Sequence, residues 1–334
     1  FLSNKKSEAL RDRMIMVRMP YTLQVSAEEK IYNKLLKQSN MPDVHIAPHT
    51  LNIAAMFAIL TRLEEAPTIQ GLSLIKKMQL YDGQEDVEGF RQKDVKNIKE
   101  QFKREGMEGI SPRFIINRLV STISKSDIKC VNPIDALRSI KEGFVGNAQL
   151  KKEDEDRLNS LISEVRTKYD EISKEEIQEA FFVSFENEID ALLSNYLIHA
   201  EAFLDKSKVL DEITGEEKEH DEALLRRIEE KVPVSESGKT EFRNEILRKV
   251  GAAKRKGTEF NYKDHAKLSE GLKKELFEER KDLIQITVSA RNPDENQLRK
   301  INEVVDSLVK NKGYCGDCGN ELLKYVSSIF SREK

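Results

Sequence analysis

Apolar residues in this chain fall mostly at helical spacing. Leu51, Ala54, Ala55, Ala58 and Leu63 form one stripe after Ala47-Pro48-His49-Thr50. Ile31, Leu35 and Leu36 form another after Ser26-Ala-Glu-Glu29, which has the form of a capping box. Shorter helices are predicted over 72–81 and 93–105, the second stopped by Gly106. In Gly109-Ile-Ser-Pro-Arg113, Ser111 is placed as N-cap and Pro112 at the first helical position. Arg113 then falls in the first turn, where a side chain can meet an anion. One early stretch departs from this period: 14–19 is a short apolar run ended by Pro20, the punctuation of a buried strand. A lone strand cannot satisfy its own backbone groups, so it implies a sheet lying mostly upstream and a chain that is the C-terminal part of a longer protein.

The run 121–132 is read as a boundary, with Asn132-Pro133 opening the next helix. Long charged helices follow over roughly 153–171, 174–203, 217–230, 240–254, 263–283, 296–310 and 320–330, with a second capping box at Ser173-Lys-Glu-Glu176. The stretch 283–288 alternates like a strand between helical neighbours, and its assignment is left open.

Composition narrows the picture. Charged residues make up 34% and apolar ones 38% of the 334, with no tryptophan, which suits helices with solvated outer faces. The 56 basic and 59 acidic residues are interleaved, which argues against nucleic acid or an anionic membrane as the main partner. No apolar run reaches the roughly 18 residues of a transmembrane helix. Three cysteines do not make a disulfide framework, so a reducing cytoplasm is expected.

Candidate chemistry is sparse. Gly238-Lys239-Thr240 ends like a phosphate-binding loop, but the glycine required five positions earlier is Pro233 and no strand leads in, so a turn before a helix is the better reading. Cys315-Gly-Asp-Cys318-Gly319 resembles half of a zinc knuckle. Zinc wants four ligands, and Cys130 is the remaining cysteine, so other ligands would have to come from across the fold or from another chain. A redox pair at the following helix N-terminus is an equal alternative to zinc, and a plain glycine turn before a final amphipathic helix is the better reading of the three. No GxSxG, HExxH or protein-kinase signature occurs. Arginine remains: Arg11 and Arg13 before the expected strand, and Arg113 a hundred residues on, are surface charge on one reading and converge on a phosphate on the sharper one.

The strings EALRDRMIMVRMPYTLQVSAEEKIYNKLL, IAPHTLNIAAMFAILTRLEE, GISPRFIINRL, NPIDALRSIKEG and FNYKDHAKLSEGLKKELFEERKD resemble the PrkA family of bacterial serine protein kinases, over essentially the whole chain. The resemblance implies a mainly α chain: the truncated end of an AAA+ core over 1–20, its helical lid over 21–125, and a helical PrkA C-terminal domain over 126–334. It implies ATP and Mg2+ as cofactors, Arg13 or Arg11 as an arginine finger toward a neighbouring subunit, and Arg113 as the lid arginine touching the phosphates. It further implies self-association through the AAA+ module and protein substrates. The activity expected of the full-length protein is phosphoryl transfer to serine; the alternative is an AAA+ motor for protein remodelling or proteolysis. Without Walker A and Walker B elements in this sequence, the chain alone is expected to be inactive.

Overall fold

A helix that is apolar on all sides has to be surrounded, and one such helix centres the first half of the chain. In the computed structural model, which describes residues 17, 19–39, 44–125, 128–145, 150–210, 215–289 and 295–332, that helix is α2 (Thr50–Arg62), with eleven of its thirteen residues buried. Packed on it are α1 (Val25–Gln38), α3 (Leu74–Tyr81), α5 (Pro112–Ile123) and α6 (Pro133–Glu142), with α4 (Val95–Gln101) lying between α3 and α5 in sequence. Ala54, Ala55 and Ala58 are fully buried, and Phe57 stacks on Phe144. The chain divides into two compact units, Phe1–Glu171 and Ile172–Lys334.

Strands among the described residues are two residues long and occur in pairs. In the first unit, β1 (His45–Ile46) runs parallel to β4 (Cys130–Val131), and β2 (Asp86–Val87) forms an antiparallel hairpin with β3 (Phe90–Arg91). The strand expected over 14–19 falls outside the described residues apart from Val17 and Met19, both exposed.

The two Pro-started helices begin as the sequence predicts. Ser111 Oγ accepts from the Phe114 N–H at 3.3 Å, and Asn132 Oδ1 accepts from the Asp135 N–H at 2.9 Å. The predicted capping box at Ser26 is not used as one. Helix α1 starts at Val25, and the Ser26 N–H is satisfied at 2.8 Å by Asp82 Oδ1 from a distant turn. The helix expected over 93–105 is shortened to α4, preceded by a 3-10 turn (Gln92–Asp94) and followed by a loop with Gly106 and Gly109 at positive φ.

The box at Ser173 likewise lies inside a helix, α7 (Lys152–Ser184). The stripe Leu161, Val165, Tyr169, Ile177, Ala180 is buried without interruption, and Ser173 sits on it, fully buried. The second unit continues with α8 (Glu186–Asp205), α9 (Glu222–Glu229), α10 (Lys239–Arg255), α11 (Ala266–Ser289), α12 (Glu295–Lys312) and α13 (Gly316–Arg332). Here α11 packs on α8, α9, α12 and α13. Phe181, Phe185, Phe277 and Phe330 form a connected aromatic cluster, with Phe181 stacked on Phe185 at 4.0 Å. The stretch 283–288 is helical and belongs to α11. Helix α9 is shorter than expected because β5 (Val209–Leu210) pairs with β6 (Glu217–Lys218), and Asp221 then caps the helix through Leu224 N–H at 2.9 Å.

Candidate functional site

Arg113 sits in the first turn of α5 with its side chain exposed, behind the Ser111 cap and Pro112. A helix N-terminus carries partial positive charge, and a permanently charged guanidinium placed there adds a bidentate donor for an anionic oxygen. What fixes the turn is the loop in front of it. The Tyr21 N–H donates to Gly106 O at 2.8 Å, and the Gly106 N–H donates to Arg62 O at 3.0 Å. Gly109, at φ +118°, passes so close to α2 that a Cβ there would lie 2.7 Å from Arg62 Cγ.

Arg62 is the centre of this arrangement. Its side chain and that of Glu28 are both fully buried, and they meet in a bidentate pair at 2.6 and 2.9 Å. Arg62 also donates to Ile110 O at 2.8 Å and Thr22 O at 3.0 Å, and its guanidinium lies over the Tyr21 ring. One cation thus ties α1 and α2 to the incoming segment and to the loop leading into Arg113. Burial, then the Glu28 carboxylate, pushes the Tyr32 phenol well above its ordinary range.

A second buried pair supports the same loop. Lys77 donates to Glu105 Oε1 and to Glu64 O, both at 2.7 Å, while the Tyr81 hydroxyl donates to Glu105 Oε2 at 2.8 Å. Burial and then Glu105 push the Tyr81 phenol up as well.

The other sequence candidates fall differently. Arg11 and Arg13 lie outside the described residues. Gly238-Lys239-Thr240 is the join between a 3-10 turn (Glu236–Gly238) and α10, and Lys239 is committed to Glu236 at 2.6 Å, as a turn before a helix requires. Sequence reasoning missed a third buried cluster, in the second unit. Arg243 donates to both oxygens of Glu229 at 2.6 and 2.8 Å, Tyr196 donates to the same carboxylate, and Arg243 lies over Phe203. Burial works against the Arg243 charge, but the bonds and attraction to Glu229 outweigh it and hold its pKa above the usual value. A charge inside an otherwise apolar stripe, as at Arg62, was the signal available for such pairs. Their partners were not.

Comparison with known proteins gives the context. The family model described as PrkA serine protein kinase C-terminal domain matches residues 75–325, and that of the PrkA AAA domain matches residues 1–70. The chain is 48% identical over 332 residues to the ATP-dependent protease PrkA of Bacillus subtilis (strain 168), covering 99% of this chain and 52% of that protein. It is 30% identical over 326 residues to the serine/threonine kinase YeaG of Escherichia coli (strain K12), covering 94% and 49%. The chain spans about half the length of these relatives. No solved structure matches it. With a family model matching 75–325 and near-complete coverage at 48% identity, the chain belongs to the PrkA family.

Proposed function

We propose that this chain supplies the lid and helical C-terminal part of an AAA-type, ATP-dependent enzyme that acts on proteins in the cytoplasm, and that Arg113 is its phosphate-contacting arginine. The observation that carries the reading is an exposed guanidinium in the first turn of α5, behind a loop tied down by the buried Arg62. The matching AAA family model supports it, as does the name of the Bacillus relative.

In this reading the division is the core end over 1–20, the lid over 21–125 and the C-terminal domain over 126–334. ATP, when bound, supplies the phosphoryl group and the free energy. Arg113 donates to its terminal phosphate oxygens, and the N-terminal N–H groups of α5 add positive potential behind it. The loop for the rest of the triphosphate and the Mg2+ ligands is assigned to residues outside this sequence, since the relatives are about twice as long. Arg13 or Arg11 is assigned as the finger reaching ATP in a neighbouring subunit of a self-associated assembly.

The first chemistry is ATP-driven handling of protein, proteolysis or remodelling, which the name of the 48% identical relative favours. The second is phosphoryl transfer to serine, favoured by the C-terminal family description and the name YeaG carries. The test uses full-length protein with γ-labelled ATP and a protein substrate, recording hydrolysis, label transfer and substrate cleavage together. Arg113→Ala is expected to lower hydrolysis about a hundredfold or more, the usual loss for one donor on developing charge. Hydrolysis at the unaltered rate in that variant would overturn the assignment of Arg113, and stable label on serine without cleavage would replace the first chemistry by the second.

A further inference from the structure

Cys315 and Cys318 belong to one short stretch of the second unit, and their surroundings differ. Cys315 comes just before α13 and is half-buried, and the two residues after it, Gly316 and Asp317, are exposed. A Cβ added at Gly316 would meet nothing within 4 Å, which leaves room beside Cys315. Cys318 is buried, at 2% exposure. Its neighbour Gly319 lies so close to α12 that a Cβ there would stand 3.2 Å from Val305 Cγ1. Neither cysteine is in a disulfide.

The two sulfurs are 3.4 Å apart. That falls within the roughly 3–3.5 Å at which reacting atoms are poised for attack. The backbone is arranged around the same two atoms. The Cys315 N–H donates to Cys318 Sγ at 3.0 Å, and the Cys318 N–H donates to Cys315 Sγ at 3.4 Å. With the positive end of α13 alongside, these donors stabilise the negative charge that passes from sulfur to sulfur in thiol–disulfide exchange. A plain turn before a helix requires neither sulfur.

We propose that Cys315 and Cys318 form a redox-active dithiol that exchanges with low-molecular-weight disulfides, Cys315 being the attacking sulfur and Cys318 the resolving one. The Cys315 thiolate attacks one sulfur of the external disulfide; that S–S bond breaks, a mixed disulfide forms on Cys315, and the first small thiol leaves. The Cys318 thiolate then attacks Cys315 Sγ, the mixed disulfide breaks, and the second small thiol leaves. Two electrons pass from the pair to the external disulfide, and the two thiol protons end on the two small thiols released. The second step is intramolecular, and alignment of this kind is worth an effective concentration of about 10⁵ M or more, so the mixed disulfide does not accumulate. Excess small thiol runs the sequence backwards. In a reducing compartment a bridge of this kind is transient, which suits redox sensing or exchange chemistry and not a permanent staple.

The experiment uses the whole 334-residue chain, reduced, freed of reductant and mixed with oxidised glutathione, then alkylated at intervals and mapped by mass spectrometry. The peptide carrying Cys315 and Cys318 should lose two hydrogens, keep no glutathione, and return to two alkylated thiols in excess reduced glutathione. In Cys318→Ser, glutathione should stay on Cys315, because the resolving sulfur is gone. In Cys315→Ser, the adduct on the buried Cys318 should form at least about tenfold more slowly than the adduct on Cys315 does in Cys318→Ser. Cys130→Ser should leave the bridge and its rate unchanged. The readout on the unaltered chain requires no variant to fold. Thiols at 315 and 318 that resist oxidation, glutathione retained on Cys315 of the unaltered chain, a bridge from either sulfur to Cys130, or equal adduct rates in the two serine variants would each overturn the proposal.

Discussion

Replacing Glu28 by Gln keeps the shape of the side chain and removes its charge. The Arg62 guanidinium then stays in a site where neither partner had any exposure, with one of its two carboxylate bonds turned into a contact with an amide N–H. Two independent scales give the size. Losing one partner of a buried ion pair costs about 3–5 kcal/mol. Two hydrogen bonds to a charged acceptor, at roughly 1.5–3 kcal/mol each, give a similar sum. Against a domain stability of about 5–15 kcal/mol this is a large fraction. Hydrogen exchange followed by mass spectrometry resolves the first unit from the second. At about 1.4 kcal/mol per tenfold, amides in α2 and α5 should exchange roughly 10²- to 10⁴-fold faster in Glu28→Gln. Glu28→Leu combined with Arg62→Met should recover most of the loss, because the orphaned charge goes with its partner. An acceleration below tenfold in the single variant would refute the reasoning.

Two further predictions concern the first unit. Gly109→Ala should destabilise the chain by at least about 2 kcal/mol in urea unfolding, since φ there is +118° and the new Cβ meets Arg62 Cγ at 2.7 Å; Gly251→Ala, in a helix with its nearest contact at 3.7 Å, should cost nothing. The Glu164 carboxyl is pushed above its ordinary value by burial and then by Glu65, so the folded state binds a proton more tightly than the unfolded chain. Its destabilising effect is absent well below the ordinary carboxylate range, grows as pH rises through the raised value, and is full at neutral pH. Glu164→Gln should therefore raise the unfolding midpoint at about pH 7 and leave it unchanged at about pH 3.5, as thermal melts at the two values will show.

What the sequence made legible was local. Ser111-Pro112 and Asn132-Pro133 announce their helices because cap and proline act within three residues, and both caps are formed. The same grammar misleads at Ser26, where the helix opens one residue earlier at Val25 and the serine falls in its first turn, and at Ser173, where a serine followed three residues later by glutamate fits a helix interior whose apolar stripe runs on. The placement of Arg113 in a first turn was readable, and so was the Cys315–Cys318 pair. The fastening of that turn was not, since Arg62 meets Glu28, Thr22 and Ile110 across 34, 40 and 48 residues. His45 and Cys130 are 85 residues apart, and nothing in their spacing announces the strand pair that joins them.

Those separations bear on how the first unit comes into being. Helix α2 is apolar enough to seek burial as soon as it forms, yet it ends in a guanidinium whose acceptors include a carbonyl 48 residues further along. Until Ile110 has left the ribosome, Arg62 can meet Glu28 and Thr22 but lacks the acceptor that it takes from the loop. Contacts of such long range are slow to close, because loop entropy is lost before any reward arrives. Arg62 therefore completes its set of partners only once the segment leading to Arg113 has been synthesised, and filling that last acceptor is what docks the turn carrying Arg113.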